Sequence, residues 1–196
     1  MTQNQPLDRI LILGAGGVGW WLTTALMRDP RGCEVIVFDD DDFQGGHGRA
    51  RLPWQSREDI PKVKALRSFI SMAMGDRPPV LVAERFTESS LPFSPDEWKR
   101  TLVVDCTDLG PEIRKPLWAF LRSTGATLLR VSYDGNGIIV VSRGLPLADK
   151  PGGGYALVPT MPQAIAAGGL GAMAIHLLLE GKPVVDYQIQ LGGEDD

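Results

Sequence analysis

The stretch RILILGAGGVGWWLTTALMR (residues 9–28) decides the fold of this chain. A run of apolar and β-branched residues leads directly into the glycine-rich turn GAGGVG (residues 14–19). Apolar residues at helical spacing follow, and Asp29-Pro30 ends the pattern because proline cannot extend a helix. A strand, a glycine turn and a helix in this order are typical of a loop that brings backbone N–H groups to a phosphate. The alternative is a tight turn without a ligand.

The rest of the chain continues to alternate strands with helices, which is the pattern of a largely parallel sheet with crossover helices. Asn136-Gly137 then gives a strong signal for a tight antiparallel hairpin. We therefore predict one domain over residues 1–196 with a Rossmann-like α/β fold. Its mostly parallel sheet has helices on both faces and ends in an antiparallel hairpin and strand. The predicted strands are 9–14, 34–38, 79–86, 101–106, 126–134, 137–143 and 184–191, and the predicted helices are 18–28, 62–74, 112–123 and 162–179.

Composition excludes several classes of protein. A formal net charge of −4 argues against a protein that neutralises many nucleic-acid phosphates. The longest apolar stretch, residues 164–179, is broken by glycines and His176, so no membrane association is expected. Cys33 and Cys106 form neither a metal-spaced pair nor a disulfide framework, and the start of the chain shows no secretory signal. These features predict a cytoplasmic protein.

Charged residues mark the expected ligand site. Asp39 ends the second predicted strand, where a carboxylate can bind the ribose hydroxyls of either NAD or ATP. Asp40 and Asp42 are interpreted as a solvated turn, and the role of Asp41 stays open. Asp108 lies at the carboxyl end of strand 101–106, the side on which open α/β sheets bind ligands. There it could hold magnesium or, alternatively, cap the next helix.

A basic segment lies between these carboxylates. Residues 49–67 contain six basic and two acidic side chains within a chain of net charge −4. One arginine, Arg49 or Arg51, and Lys62 could converge on the β- and γ-phosphates of a nucleoside triphosphate and stabilise departing pyrophosphate. The alternative is a solvated basic face.

Four of these segments resemble a known family. GAGGVG, FDDDDF (residues 38–43), PKVKAL (residues 61–66) and VVDCTD (residues 103–108), followed by Arg114, resemble the adenylyltransferases that activate ubiquitin-like proteins, namely the ThiF-type and MoeB-type enzymes and the ubiquitin-activating enzymes. The resemblance covers roughly residues 9–191. It implies that the nucleotide is lined by Gly14, Gly16 and Gly17, that Asp39 binds its ribose, that Arg49 and Lys62 bind phosphate, with Arg51 as the alternative arginine, and that Asp108 holds magnesium.

The resemblance also implies an activity. Such enzymes use ATP and magnesium to join AMP to the C-terminal carboxylate of a small ubiquitin-like protein or peptide, commonly ending Gly-Gly, and they release pyrophosphate. A homodimer or heterodimer is expected. Because the crossover loop carries no cysteine and neither Cys33 nor Cys106 suits nucleophilic attack, activation is expected to stop at the acyl-adenylate.

The sequence departs from the family at three places, and these departures keep two other functions open. His47 stands where asparagine is usual, Leu109 replaces asparagine after Asp108, and no N-terminal helix with an arginine that reaches across a dimer is expected. A catalytically impaired scaffold or heterodimer subunit is therefore one alternative. An NAD-binding oxidoreductase, supported by the glycine turn and Asp39 alone, is the other.

Overall fold

The computed structural model describes residues 6–43, 60–74, 78–133, 138–144 and 161–190. Within these ranges the chain forms a seven-stranded sheet, a two-stranded ribbon and five helices. The strands are β1 (Arg9–Leu13), β2 (Glu34–Phe38), β3 (Asp42–Phe43), β4 (Ile60–Pro61), β5 (Val80–Val82), β6 (Thr101–Asp105), β7 (Thr127–Tyr133), β8 (Ile138–Ser142) and β9 (Tyr187–Gln190). The helices are α1 (Gly17–Leu26), α2 (Lys62–Met74), α3 (Pro95–Lys99), α4 (Pro111–Ser123) and α5 (Met161–Leu179).

The large sheet has the strand order β5-β2-β1-β6-β7-β8-β9. Its first five strands are parallel, whereas β7, β8 and β9 pair antiparallel. The predicted fold class is therefore confirmed. The chain first builds outward from β1 to β2 and β5, then crosses to the other side of β1 to add β6 and β7. Because the direction changes at β1, the sheet has a topological switch point there.

Helices cover both faces of the sheet, as the alternation of side chains along β1 shows. Ile10 and Ile12 belong to one hydrophobic cluster, which also includes Trp20 of α1 and Ile175 of α5. Leu11 and its alternate neighbours face a second cluster, to which α3 and α4 contribute. Buried members of that second cluster are Leu11, Leu13, Ile36, Phe38, Phe86, Trp98, Val103, Trp118, Leu121 and Leu128. Successive strand residues point to opposite faces, so β1 is buried on both sides.

Helix α5 packs closely on α1. A Cβ atom added at Gly168 would lie 2.6 Å from the Leu22 backbone nitrogen, and one at Gly171 would lie 2.6 Å from Leu22 Cδ1. The small residues of α5 therefore serve contact within the fold at these two positions. By length and composition alone α5 could cross a membrane, and it is the one described helix of that kind. Its packing against α1 accounts for this apolar character.

The element bounds differ from the prediction in a few places. The run 79–86 forms a strand only at Val80–Val82, and the chain bends at Glu84. Helix α3 and the ribbon of β3 and β4 were not predicted. The hairpin is present as the antiparallel pairing of β7 with β8, while its Asn136-Gly137 turn lies outside the described residues.

Candidate functional site

A cleft of about 330 Å³ opens at the carboxyl ends of β1, β2 and β6. This is the switch point of the sheet, where open α/β folds bind ligands, and the volume is within the usual range of ligand sites. The charged residues that line the cleft are Asp39, Asp40, Asp41, Lys62, Glu84, Arg85, Asp108 and Arg130. The glycine turn forms its wall, with Gly14, Gly16 and Gly17 all among the lining residues.

Gly14, Gly16 and Gly19 of the glycine turn serve different physical purposes. Gly14 has a φ of +93°, which side-chain-bearing residues rarely adopt, and a Cβ there would lie 3.2 Å from the Cys106 backbone. A Cβ at Gly19 would overlap the Gly14 carbonyl oxygen, so Gly19 allows α1 to lie close to β1. At Gly16, by contrast, a Cβ would have no described atom within 4 Å. Gly16 is the N-cap of α1 and gives that helix no side-chain cap. A phosphate could therefore approach the helix amino terminus there.

Asp39 is buried beside the glycine turn. Its Oδ2 accepts a hydrogen bond of 2.6 Å from the Ala15 N–H, and its Oδ1 accepts one of 2.9 Å from the Asp41 N–H. Burial raises the pKa of Asp39 above its ordinary value, and the nearby Lys62 opposes this shift. The carboxylate thus joins the end of β2 to the glycine turn.

Lys62 already has a partner inside the protein. Its Nζ lies 2.6 Å from Asp41 Oδ2 and 3.9 Å from Asp39 Oδ1. The Lys62 backbone N–H also donates to the Asp41 carbonyl at 2.9 Å. The role of Asp41, which the sequence left open, is therefore to hold the first residue of α2 at the cleft.

Asp108 lies on the opposite wall, beyond the end of β6. Its side chain is exposed, and it forms no hydrogen bond or ion pair with any residue in the described part of the chain. The N-cap of α4 is Gly110, which makes no side-chain cap bond, so Asp108 does not cap that helix. Because it is exposed and has no partner among the described residues, this carboxylate is available to a ligand.

The donor set fits magnesium bound together with a phosphate. Among the described residues no group of three or more His, Cys, Asp or Glu side chains converges as a metal cluster. Asp108 therefore offers a single carboxylate. Mg²⁺ is commonly held in this way, by one or two carboxylates with substrate phosphates and water completing its shell.

A buried polar network supports the turn that carries Asp108. Asp105, 1% exposed, accepts hydrogen bonds from Trp118 Nε1 and from Arg130 Nη1, each 2.8 Å long. Arg114 is also buried, with its Nε 3.5 Å from Asp105 Oδ2. Arg114, which belongs to the family resemblance, therefore lies behind the turn and is absent from the described residues that line the cleft.

Neither cysteine is activated as a nucleophile, although Cys106 lines the cleft. Burial raises the pKa of the Cys106 thiol far above its ordinary value, with the nearby Asp105 charge adding to the shift. Burial also raises the pKa of the half-buried Cys33, which lies at the opposite end of β2 from the cleft. Because the thiolate is the reactive form, both thiols are poorly activated.

The structure brings most of the predicted site residues to one cleft. Gly14, Gly16, Gly17, Asp39, Lys62 and Asp108 all line it. Arg49 and Arg51 lie outside the described residues, so their assignment to phosphate stays a prediction.

Sequence reasoning missed Arg85, Asp105 and Arg130 as parts of the site. Arg85 was assigned to a strand, but it lines the cleft and pairs with Asp40 at 2.9 Å. Asp105 and Arg130 each interrupt an apolar strand. A charged residue of each sign within neighbouring buried strands was the signal for an ion pair, since buried charges are paired.

Comparison with known proteins finds solved structures of similar fold. No protein-family model and no curated protein sequence matches the chain. The structure of E. coli MccB with MccA-N7isoASN aligns with a TM-score of 0.72 and 13% identity, covering 94% of this chain and 64% of that one. The structure of E. coli MccB with ATP aligns with a TM-score of 0.68 and 12% identity, covering 96% of this chain and 64% of that one. The structure of PaaA aligns with a TM-score of 0.67 and 13% identity, covering 96% of this chain and 61% of that one.

These likenesses show the fold alone, because the identities are low. This chain spans less than two thirds of the length of MccB and PaaA in these matches. MccB is named a microcin C7 biosynthetic enzyme and is seen with ATP and with MccA. The shared architecture agrees with the predicted Rossmann-like α/β fold.

Proposed function

We propose that this chain is an adenylyltransferase that binds ATP in the cleft and activates a carboxylate as an acyl-adenylate. The observation that carries the proposal is the placement of Asp108. An exposed carboxylate, without a partner in the described part of the chain, faces the same cleft as an uncapped helix amino terminus and a lysine. A hydride-transferring site needs neither this carboxylate nor Lys62.

Each residue has a role that follows from its position. The N–H groups after Gly16 bind phosphate at the start of α1, and Asp39 binds the ribose from the end of β2. Lys62, with Arg49 or Arg51, stabilises the charge on departing pyrophosphate. Asp108 would hold magnesium, which would supply positive charge to neutralise the phosphates. The attacking oxygen forms a bond to the α-phosphorus as the bond to pyrophosphate breaks.

The acyl group in this proposal is the C-terminal carboxylate of a small ubiquitin-like protein or peptide. The complexes of MccB with MccA support a peptide, and the family resemblance supports a Gly-Gly end. Activation stops at the adenylate, because Cys33 and Cys106 are poorly activated. We further propose a cytoplasmic protein that acts as a homodimer or heterodimer.

Calorimetric titration of ATP, with and without magnesium, tests the proposal. We expect magnesium to tighten ATP binding to the wild type and to have little effect on Asp108→Asn. Asp96→Asn, a matched change on α3 outside the cleft, should behave like the wild type. Tighter binding of NAD than of ATP would contradict the proposal and favour an oxidoreductase. Binding of neither nucleotide would favour a catalytically impaired scaffold.

Pyrophosphate exchange then tests the reaction itself. Synthetic peptides that end in Gly-Gly are added to the protein with ATP, magnesium and labelled pyrophosphate. Label should enter ATP only when a peptide is present, and a C-terminal amide should abolish the exchange because it lacks the attacking carboxylate.

A further inference from the structure

The turn between β6 and Asp108 is fixed from both sides by buried polar groups. Asp105 Oδ1 accepts a hydrogen bond of 3.0 Å from the Thr107 N–H and one of 2.6 Å from the Thr107 hydroxyl. Arg130 Nη2 donates to the Thr107 carbonyl at 3.3 Å, and Arg130 Nη1 binds Asp105 at 2.8 Å. We call this closed set of Asp105, Thr107 and Arg130 the turn clamp.

The turn clamp also lies against the glycine turn. The Cys106 N–H donates to the Leu13 carbonyl at 2.8 Å, which carries the pairing of β1 with β6 one residue further. A Cβ at Gly14 would be 3.3 Å from the Thr107 backbone nitrogen. A shift of the turn would therefore change the distance between Asp108 and the phosphate-binding wall.

The N–H, carbonyl and hydroxyl groups of Thr107 all make hydrogen bonds within the turn clamp, whereas the side chain of the next residue, Asp108, is exposed. Thr107 itself lines the cleft, and its hydroxyl donates its hydrogen inward to Asp105, which is 1% exposed. The partner that anchors the clamp, Arg130, is 5% exposed and comes from β7. The clamp thus fixes the backbone from which the Asp108 side chain projects.

We propose that Thr107 is a positioning residue that holds Asp108 at the distance needed for magnesium bound to a nucleotide. This inference rests on the proposed function, because it assumes that Asp108 is the magnesium ligand. Removing Asp105 would leave the buried Arg130 without its carboxylate, and removing Arg130 would take the closer of two arginines from the buried Asp105, so either change is strongly destabilising. Thr107 can be changed without that effect, so it is the residue to test.

The test uses Thr107→Val, which keeps the shape of the side chain and removes the hydroxyl bond to Asp105. Calorimetry measures ATP affinity with and without magnesium, and the ratio of the two affinities is the readout. We expect Thr107→Val to reduce that ratio about tenfold, because the loss of an outer partner of a metal site commonly weakens metal binding by this amount or more. Thr107→Ser should restore the wild-type ratio because it restores the hydroxyl.

Trp118→Phe is the matched control. It removes a hydrogen bond to the same Asp105 carboxylate, but from the α4 side and not from the turn. We expect it to lower the midpoint of thermal unfolding and to leave the ratio of ATP affinities with and without magnesium unchanged. In an Asp108→Asn background, Thr107→Val should have no further effect on the ratio. If Thr107→Val does not fold, Thr107→Ala, which cannot overpack the site, takes its place.

The outcomes separate the two proposals. A wild-type ratio near one would overturn both, because no magnesium would be held. If magnesium tightens ATP binding equally in the wild type and in Thr107→Val, only the positioning role is overturned. An equal loss of the ratio in Thr107→Val and Trp118→Phe would also overturn it, since the effect would then follow general stability.

Discussion

Lys62, one of the residues that line the cleft, already has an ion-pair partner within the protein. Lys62 is held by Asp41, whose side chain is 67% exposed, whereas Lys62 itself is 11% exposed. Solvent screens the charge of Asp41, so its attraction for Lys62 is weaker than that of a fully buried ion pair. In the proposed function the Lys62 ammonium would exchange Asp41 for a phosphate, and the pair with Asp41 holds the lysine at the cleft until then.

This argument predicts the effect of Asp41→Asn. Because the variant removes the competing carboxylate, we expect ATP to bind more tightly, by no more than about fivefold given the weakness of the pair. Lys62→Ala should weaken ATP binding instead. Calorimetric titration measures both variants, and a large loss of affinity in Asp41→Asn would show that Asp41 serves the nucleotide directly.

The pKa of Asp39 leads to a prediction about pH. Burial raises the pKa of this carboxyl above 3.8, so the native state binds its proton more tightly than the unfolded state does. As pH rises from about 3.8 through the raised pKa, Asp39 therefore lowers the stability of the wild type. We expect the free energy of unfolding of the wild type to fall across this window relative to that of Asp39→Asn.

Urea unfolding of both proteins at several pH values between about 3.5 and 7 measures this difference. Lost hydrogen bonds in Asp39→Asn add a constant offset, so the change with pH is the informative quantity. A difference that does not vary with pH would mean that Asp39 titrates alike in both states.

At the scale of elements, the contact between α1 and α5 depends on two glycines of α5. Gly168→Ala would place a methyl group 2.6 Å from the Leu22 backbone nitrogen, and backbone atoms cannot yield as a side-chain tip can. We expect a loss of about 1–3 kcal/mol from overpacking. Gly169→Ala is the matched control on the same helix, since a Cβ there meets no described atom within 4 Å.

The control should move stability in the opposite direction. In a helix interior alanine is favoured over glycine by roughly 0.8–1 kcal/mol, so Gly169→Ala should be stabilising. Urea unfolding of both variants gives the two values. If both changes were stabilising, α5 would not approach α1 as closely as described.

Elements with local signals could be predicted, and those without could not. Helix α2 and strand β2 begin and end where their apolar periodicity predicts. Helix α3 had a signal that was overlooked, because Ser94 and Glu97 form a capping box with Pro95 at the first helical position. The ribbon of β3 and β4 joins segments that are distant along the chain, and two residues in each strand carry no periodicity.

The same distinction applies to the cleft. Gly14, Asp39 and Asp108 could be located from sequence because each follows a strand whose carboxyl end must face one edge of the sheet. The bond between Asp105 and Arg130 joins residues 25 positions apart on neighbouring strands, so its geometry depends on the register of β6 with β7. The pairing of Lys62 with Asp41 likewise needs α2 to return to the end of β2.

For the whole molecule, ligand binding at the switch point should be visible as stability, because the cleft joins β1, β2 and β6 at the centre of the sheet. A ligand at 100 times its dissociation constant stabilises the native state by about 2.7 kcal/mol. For a chain of this size that corresponds to a rise of roughly 5–10 °C in the midpoint of thermal unfolding. We expect ATP with magnesium to produce this rise and NAD to produce none.

Gly16→Val separates binding from folding in this measurement. Gly16 has a φ of −69° and open space around it, so valine should fold there with a midpoint close to that of the wild type. Its side chain would occupy the approach to the start of α1, and the rise with ATP and magnesium should disappear. An undiminished rise in Gly16→Val would place the nucleotide elsewhere and remove the glycine turn from the proposed site.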